Sequence, residues 1–138
     1  MKQKTFTILK PDTVARRNCG AIIGRLEQEG FEILGAKRIK LTEDQAKAFY
    51  AVHKERPFYR GLVEFMTSGP VWVMALERDN AVEYLRKVMG ATDSTKAEKG
   101  TIRSQFGTNI ERNAIHGSDS PENAAIEISF FFATADLV

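Results

Sequence analysis

The order of elements in this 138-residue chain predicts an α+β fold, an antiparallel four-stranded sheet with helices packed on it. Three observations predict it. Strand-like apolar runs lie at 5–9, 31–41, 71–76 and 126–132, and segments of helical period with recognisable caps stand between them. One long stretch, from 90 to 119, carries neither period.

Thr5-Phe6-Thr7-Ile8-Leu9 alternates as a strand does, and Lys10-Pro11-Asp12 stops it, because proline has no N–H for a ladder. Asn18 stands as cap to a helix with Ile22, Ile23 and Leu26 on one face and Gly30 as its stop. Phe31 to Leu41 reads as a second strand with Phe31, Ile33, Ile39 and Leu41 on one face. Lys37 interrupts that phase, which predicts a bulge or an edge position. Thr42-Glu43-Asp44-Gln45 has the form of a capping box, and Ala46, Phe49, Tyr50 and His53 share the helical face that follows. Pro57 ends that run. Leu62, Phe65 and Met66 then suggest another helix before Gly69-Pro70.

Val71 to Leu76 is apolar throughout, the pattern of a strand covered on both faces. Asp79 can cap a helix with Val82, Leu85 and Met89 inward, closed by Gly90. The aperiodic stretch from Gly90 to Asp119 holds four glycines and several bases, and a connection of that length in a compact domain is commonly functional. Ser120-Pro121 restarts order as cap and first helical residue. Ile126, Ile128, Phe130 and Phe132, alternating with Glu127 and Ser129, read as the last strand. Without the inserted helices and the loop the order is β-α-β-β-α-β, the ferredoxin-like pattern, with one face of the sheet buried under helices.

Length gives one domain, residues 1–138. Hydrophobic types at 43% and charged types at 28% are ordinary for a globular chain and argue against disorder. A net charge of +2 is too small to predict a nucleic-acid or membrane surface. With one cysteine, Cys19, no internal disulfide or thiolate zinc cage is available. The first apolar run is too short for a signal-peptide core, and none approaches a membrane span, so a cytoplasmic protein is expected.

Phosphate-cradling G-x-x-x-x-G-K-[ST], the dinucleotide fingerprint G-x-G-x-x-G and the G-x-S-x-G elbow are all absent. Two histidines, His53 and His116, are too few for a histidine-rich metal cage, so any metal should arrive on the substrate. What remains is Asn113-Ala114-Ile115-His116-Gly117-Ser118-Asp119 at the end of the long loop. A histidine between small residues is open to a ligand. Glu127, on the adjoining strand, could hold one ring nitrogen, fixing the tautomer and leaving the other lone pair free to attack.

The chain resembles the nucleoside diphosphate kinase family from end to end. Thr7-Ile8-Leu9-Lys10-Pro11-Asp12, Arg56-Pro57-Phe58-Tyr59, Ser68-Gly69-Pro70-Val71, Gly100-Thr101-Ile102-Arg103 and Asn113-x-x-His116-Gly117-Ser118-Asp119 carry the resemblance, in order. It implies a ferredoxin-like oligomer that moves the terminal phosphate of ATP, or another nucleoside triphosphate, to a nucleoside diphosphate by a ping-pong route through a phosphohistidine. Mg2+ would come bound to the nucleotide phosphates. His116 is implied as nucleophile, with Glu127 orienting it and Ser118 holding that carboxylate. An unperturbed imidazole is roughly three quarters neutral at pH 7, the form that can attack phosphorus. Cationic neighbours would raise that fraction and Glu127 would lower it.

The resemblance further implies that Arg86 and Thr92 hold the β-phosphate and Arg103 reaches the transferred one. Lys10 would serve phosphate and sugar, and Asn113 the sugar hydroxyl. Phe58 would stack the base with Leu62 behind it, and stacking needs only a π face, which implies broad base tolerance. Taken singly, each of these bases reads as solvated surface charge, and Tyr50 reads equally as core; the family pattern makes Tyr50 an active-site phenol. His53 reads as a solvated or supporting residue, Trp72 as core or subunit contact, and Lys37-Arg38 with Lys40 as a solvated strand edge. Asp93-Ser94 replaces a common Asn-Pro, and Lys99 a common proline, in a loop that touches neighbouring subunits. A tetramer or hexamer built from dimers is implied, requiring neither membrane nor nucleic acid.

Overall fold

A computed structural model describes residues Met1–Val138. It has strands β1 (Lys2–Leu9), β2 (Glu32–Ile39), β3 (Val71–Asp79) and β4 (Ile115–Gly117). The helices are α1 (Pro11–Ala15), α2 (Cys19–Gln28), α3 (Glu43–Phe49), α4 (Tyr59–Met66), α5 (Ala81–Met89), α6 (Ile102–Phe106) and α7 (Pro121–Phe131). All strand pairs are antiparallel, in the order β2-β3-β1-β4. With α2 and α5 as the crossovers this is the expected ferredoxin-like sheet; α3 and α4 form the insert before β3. No helix is long and apolar enough to cross a membrane.

Local chemistry explains most boundaries. Thr42 and Gln45 form the reciprocal box at the start of α3: the Gln45 N–H donates to Thr42 Oγ1 at 3.1 Å and the Thr42 N–H to Gln45 Oε1 at 3.0 Å. Gly90 closes α5 at φ +89°, where a side chain would meet Thr101. Asp79 does not cap α5. It ends β3, and Asn80, in the left-handed region at φ +52°, takes the cap position. Val82, Leu85 and Met89 do face inward.

The fourth strand differs from the sequence reading. Residues 121–131 are helix, not strand, and β4 is the three-residue segment that carries His116. The reason lies in the packing of α7. Ile128 and Phe132, four apart, are buried, whereas Ile126 and Phe130, also four apart, are exposed. A helix with apolar residues on both sides produces the same every-second-residue spacing as a strand. Ser120 caps it by accepting from the Asn123 N–H at 3.1 Å.

Helices cover both faces of the sheet rather than one. One core cluster includes Phe6, Ile8, Val73, Ala75, Tyr50, Val63 and Ile128; the other includes Leu9, Met74, Leu76, Ile22, Leu26, Leu85, Met89 and Ile115. Successive residues of β1 and β3 thus serve opposite layers, as the unbroken apolar run in β3 predicts. In β2 the register shifts between Ile33 and Gly35. Phe31 and Ile33 therefore join one layer and Ile39 and Leu41 the other, not one face as expected. The bulge lies before Lys37. β2 is an edge strand, but Lys37 is no solvated charge: its Nζ donates to the Phe131 carbonyl at 2.7 Å, capping the end of α7. Trp72 packs, partly buried, against the second cluster.

Candidate active site

β4 alternates like any strand, so Ile115 and His116 point to opposite layers. Ile115 is buried with α5 residues, and His116 faces the layer of Phe6 and α7. Gly117 is required by close approach, since a Cβ there would lie 2.7 Å from Met89 Sδ and 3.1 Å from a Leu85 methyl. Phe6 and Phe49 present ring edges to the imidazole at centroid distances of 6.2 and 5.7 Å.

The ring is oriented from one side. His116 Nε2 lies 2.8 Å from Glu127 Oε1, and Ser118 Oγ donates to the same oxygen at 2.8 Å. Glu127 comes from α7 and not from a strand, yet it reaches the nitrogen as the sequence reading requires. A carboxylate acceptor at Nε2 places the proton there and leaves Nδ1 as the bare nitrogen.

The backbone before the histidine is strained. Ala114 has φ +75°, and the Ile115 N–H donates to the Asn113 carbonyl at 2.9 Å, which closes a γ-turn of positive φ around Ala114. Such conformations persist only where surrounding contacts hold them. Here all of those contacts come from the segment after β1. The Ala114 N–H donates to Asp12 Oδ2 at 3.1 Å, and its carbonyl accepts from Thr13 Oγ1 at 2.8 Å and from the Lys10 N–H at 2.9 Å. Asp12 and Thr13 received no role from the sequence, and nothing local signals one, for their partner stands about a hundred positions away.

Three cationic residues converge nearby. Lys10, buried, donates from Nζ to Asn113 Oδ1 at 2.7 Å. Burial, reinforced by the Arg103 charge, pulls its ammonium down to about 8. Arg103, also buried, donates to the Ile115 carbonyl at 2.8 Å and the Gly90 carbonyl at 3.1 Å, while its Nε has no partner. Burial, with Arg86 adding to it, lowers Arg103 to about 10. Arg86 is exposed on α5, and its guanidinium makes no ion pair or hydrogen bond. Asp12 and Glu111 offset part of the charge at Lys10, yet two buried cations beside a third exposed one leave an excess of positive charge, the arrangement an anion neutralises.

Asn113 uses both amide hydrogens and one lone pair, accepting from Lys10 and donating to the Thr92 and Ile110 carbonyls at 2.9 and 3.1 Å. It ties the Thr92 loop to the Ile110 loop. Thr92 itself is exposed. Tyr50 is buried with its hydroxyl unpartnered, and burial together with the Glu127 charge raises its pKa, so the phenol keeps its proton. Phe58, half-exposed at 52%, precedes α4 with the His53 ring 5.3 Å away, so His53 supports an open aromatic face. Leu62 is partly buried against the core. Cys19 is half-buried and its thiol is pushed up by that burial. No group of three His, Cys, Asp or Glu side chains is placed to hold a metal ion.

A family model described as nucleoside diphosphate kinase matches residues 3–137. The nucleoside diphosphate kinase of Acidiphilium cryptum is 55% identical over 136 residues, covering 99% of this chain and 97% of that protein. That of Helicobacter pylori is 54% identical over 137 residues, with 99% and 100% covered. Among solved structures, the Aquifex aeolicus nucleoside diphosphate kinase matches at TM-score 0.98 and 45% identity over 100% of both chains. The halophilic enzyme of Halobacterium salinarum, in complex with CDP, matches at 0.96 and 41%, covering 100% of this chain and 92% of the other.

Proposed function

The chain belongs to the nucleoside diphosphate kinase family, and from that premise we propose that it passes the terminal phosphate of one nucleotide to another through His116. The observation that carries this reading is the pairing of His116 Nε2 with Glu127 Oε1 at 2.8 Å, which leaves Nδ1 as the nucleophile.

In the first half-reaction the Nδ1 lone pair attacks the γ-phosphorus of a nucleoside triphosphate. An N–P bond forms, the bond from phosphorus to the β,γ-bridging oxygen breaks, and the diphosphate leaves with that electron pair. Glu127 compensates the positive charge left on the phosphorylated ring. In the second half-reaction a terminal oxygen of another nucleoside diphosphate attacks the same phosphorus, the N–P bond breaks and the imidazole is restored. The transition state spreads charge over phosphoryl oxygens, so positioned cations do most of the catalytic work. Lys10 and Arg103 supply them from buried positions, with Arg86 and Thr92 on the β-phosphate. Magnesium belongs to the substrate, carried on its phosphates.

Phe58 offers the base a flat apolar face, which favours tolerance of every base, and Leu62 backs that side of the cleft. Asn113, already bridging two loops, would meet the sugar hydroxyl through the remaining lone pair of Oδ1, and the protonated Tyr50 hydroxyl can donate beside the histidine. The reading takes residues 1–138 as one domain of a cytoplasmic homo-oligomer built from dimers.

Incubation with Mg2+ and γ-labelled ATP tests it. The expected product is an acid-labile phosphoenzyme, stable until a nucleoside diphosphate discharges it to triphosphate. A chain that takes no label contradicts covalent transfer, and one that releases label to water without an acceptor is a hydrolase.

A further inference from the structure

We infer that Asp12 is a positioning residue for His116: its carboxylate holds the strained Ala114 turn, and through it sets where Nδ1 stands. This deepens the proposed function and rests on it. Asp12 is 8% exposed, one oxygen accepts from the Ala114 N–H at 3.1 Å, and the other has no partner at all. A buried carboxylate with a single hydrogen bond and an orphaned oxygen is costly to maintain. The one contact it makes is to the only residue of the 113–117 segment at positive φ.

Without that acceptor, Ala114 has every reason to relax to negative φ, because an alanine Cβ is crowded there. A change of φ two residues before His116 swings the ring. Glu127 belongs to a different element and stays where α7 puts it, so relaxation separates the pair that defines the reactive nitrogen. Thr13 contributes to the same brace through its 2.8 Å bond to the Ala114 carbonyl.

Charge and geometry make different predictions, which gives the test its power. Asp12 also lies near Lys10 and favours its charged form. Asp12→Asn removes the charge but keeps an acceptor; Asp12→Ala removes both. If the acceptor matters, Asp12→Ala slows labelling of the enzyme by saturating Mg-ATP by about 10²-fold, as expected for a reacting group displaced by an ångström or so. Half-saturating ATP changes little, and Asp12→Asn recovers most of the rate. Ala114→Gly, which removes the penalty on positive φ, restores part of what Asp12→Ala loses.

Thr13→Val supplies a milder second variant should Asp12→Ala fold poorly, with a smaller loss of labelling rate at unchanged half-saturation. In parallel, ring nitrogen NMR shifts of His116 report its tautomer in the unliganded protein. A single Nε2-protonated form is expected in the natural sequence and in Asp12→Asn, and a mixture in Asp12→Ala. Equal losses in Asp12→Asn and Asp12→Ala, or an unchanged tautomer in Asp12→Ala, overturn the inference while leaving phosphotransfer intact. A natural chain that takes no label removes the proposed function instead, and the NMR comparison still decides whether Asp12 sets the ring.

Discussion

Ser118 and His116 converge on the same atom: each places a polar side-chain atom 2.8 Å from Glu127 Oε1. One carboxylate oxygen therefore holds the imidazole while being held itself. The three residues are not equivalent in this chain of contacts, and their replacement should rank them. His116→Ala should abolish phosphoenzyme formation. Glu127→Ala should lower the rate of transfer by about 10²-fold through loss of ring orientation. Ser118→Ala should cost about tenfold, the lower end of what one hydrogen bond to a charged group contributes. Single-turnover labelling at saturating ATP measures all three.

Phe58 stands half-exposed and contributes little to the core, so its loss separates binding from folding. Phe58→Ala should weaken nucleotide binding by about 1–3 kcal/mol, by similar amounts for adenine, guanine and cytosine nucleotides. Thermal unfolding should shift hardly at all. Titration calorimetry with the three diphosphates checks the equality, and a loss confined to one base would contradict a stacking platform.

Lys10 couples pH to stability and to binding with opposite signs. Its ordinary value of 10.5 falls to about 8 in the folded chain, with burial the main cause. Below pH 8 folded and unfolded chains both hold the proton. Between about 8 and 10.5 only the unfolded chain holds it, so stability from this group rises with pH across that window, by up to roughly 3 kcal/mol. Urea unfolding of the natural chain against Lys10→Met should show the difference moving in favour of the natural chain over that range. Nucleotide affinity should instead fall above pH 8 as the cation is lost, and Lys10→Met should lack that fall.

Gly117 separates β4 from α5. Gly117→Ala places a methyl 2.7 Å from Met89 Sδ, which must give way within a packed core. A loss of about 1–3 kcal/mol in unfolding free energy is expected. A lower labelling rate should accompany it, since the strand that shifts is the one bearing His116. Urea denaturation and the labelling assay together check it.

Much of this architecture is legible in the residues. The Thr42-Gln45 box, the apolar run of β3 and the stops at Gly30 and Gly90 are local signals, and each marks its element. The candidate site is legible only where a motif surrounds it. His116, Glu127 and Ser118 lie within twelve residues, and a reader can connect them even with α7 taken for a strand. β4 is not legible, because three residues are too few for a period to be seen. The error at α7 has the same root as its chemistry: Ile126 and Phe130 stay exposed, so no polar face marks the helix. The brace at Ala114 leaves no trace in composition or spacing. An alanine says nothing of a positive φ, and the Asp12, Thr13 and Lys10 that impose it are recognisable only once β1 and β4 lie side by side.

That adjacency suspends one imidazole between two independent supports. Asp12 and Thr13, just after β1, fix the turn that precedes His116, while Glu127 on α7 fixes the ring nitrogen. A lesion that loosens α7 therefore frees the ring and leaves the Ala114 turn intact, whereas one at Asp12 moves the turn and leaves the carboxylate in place.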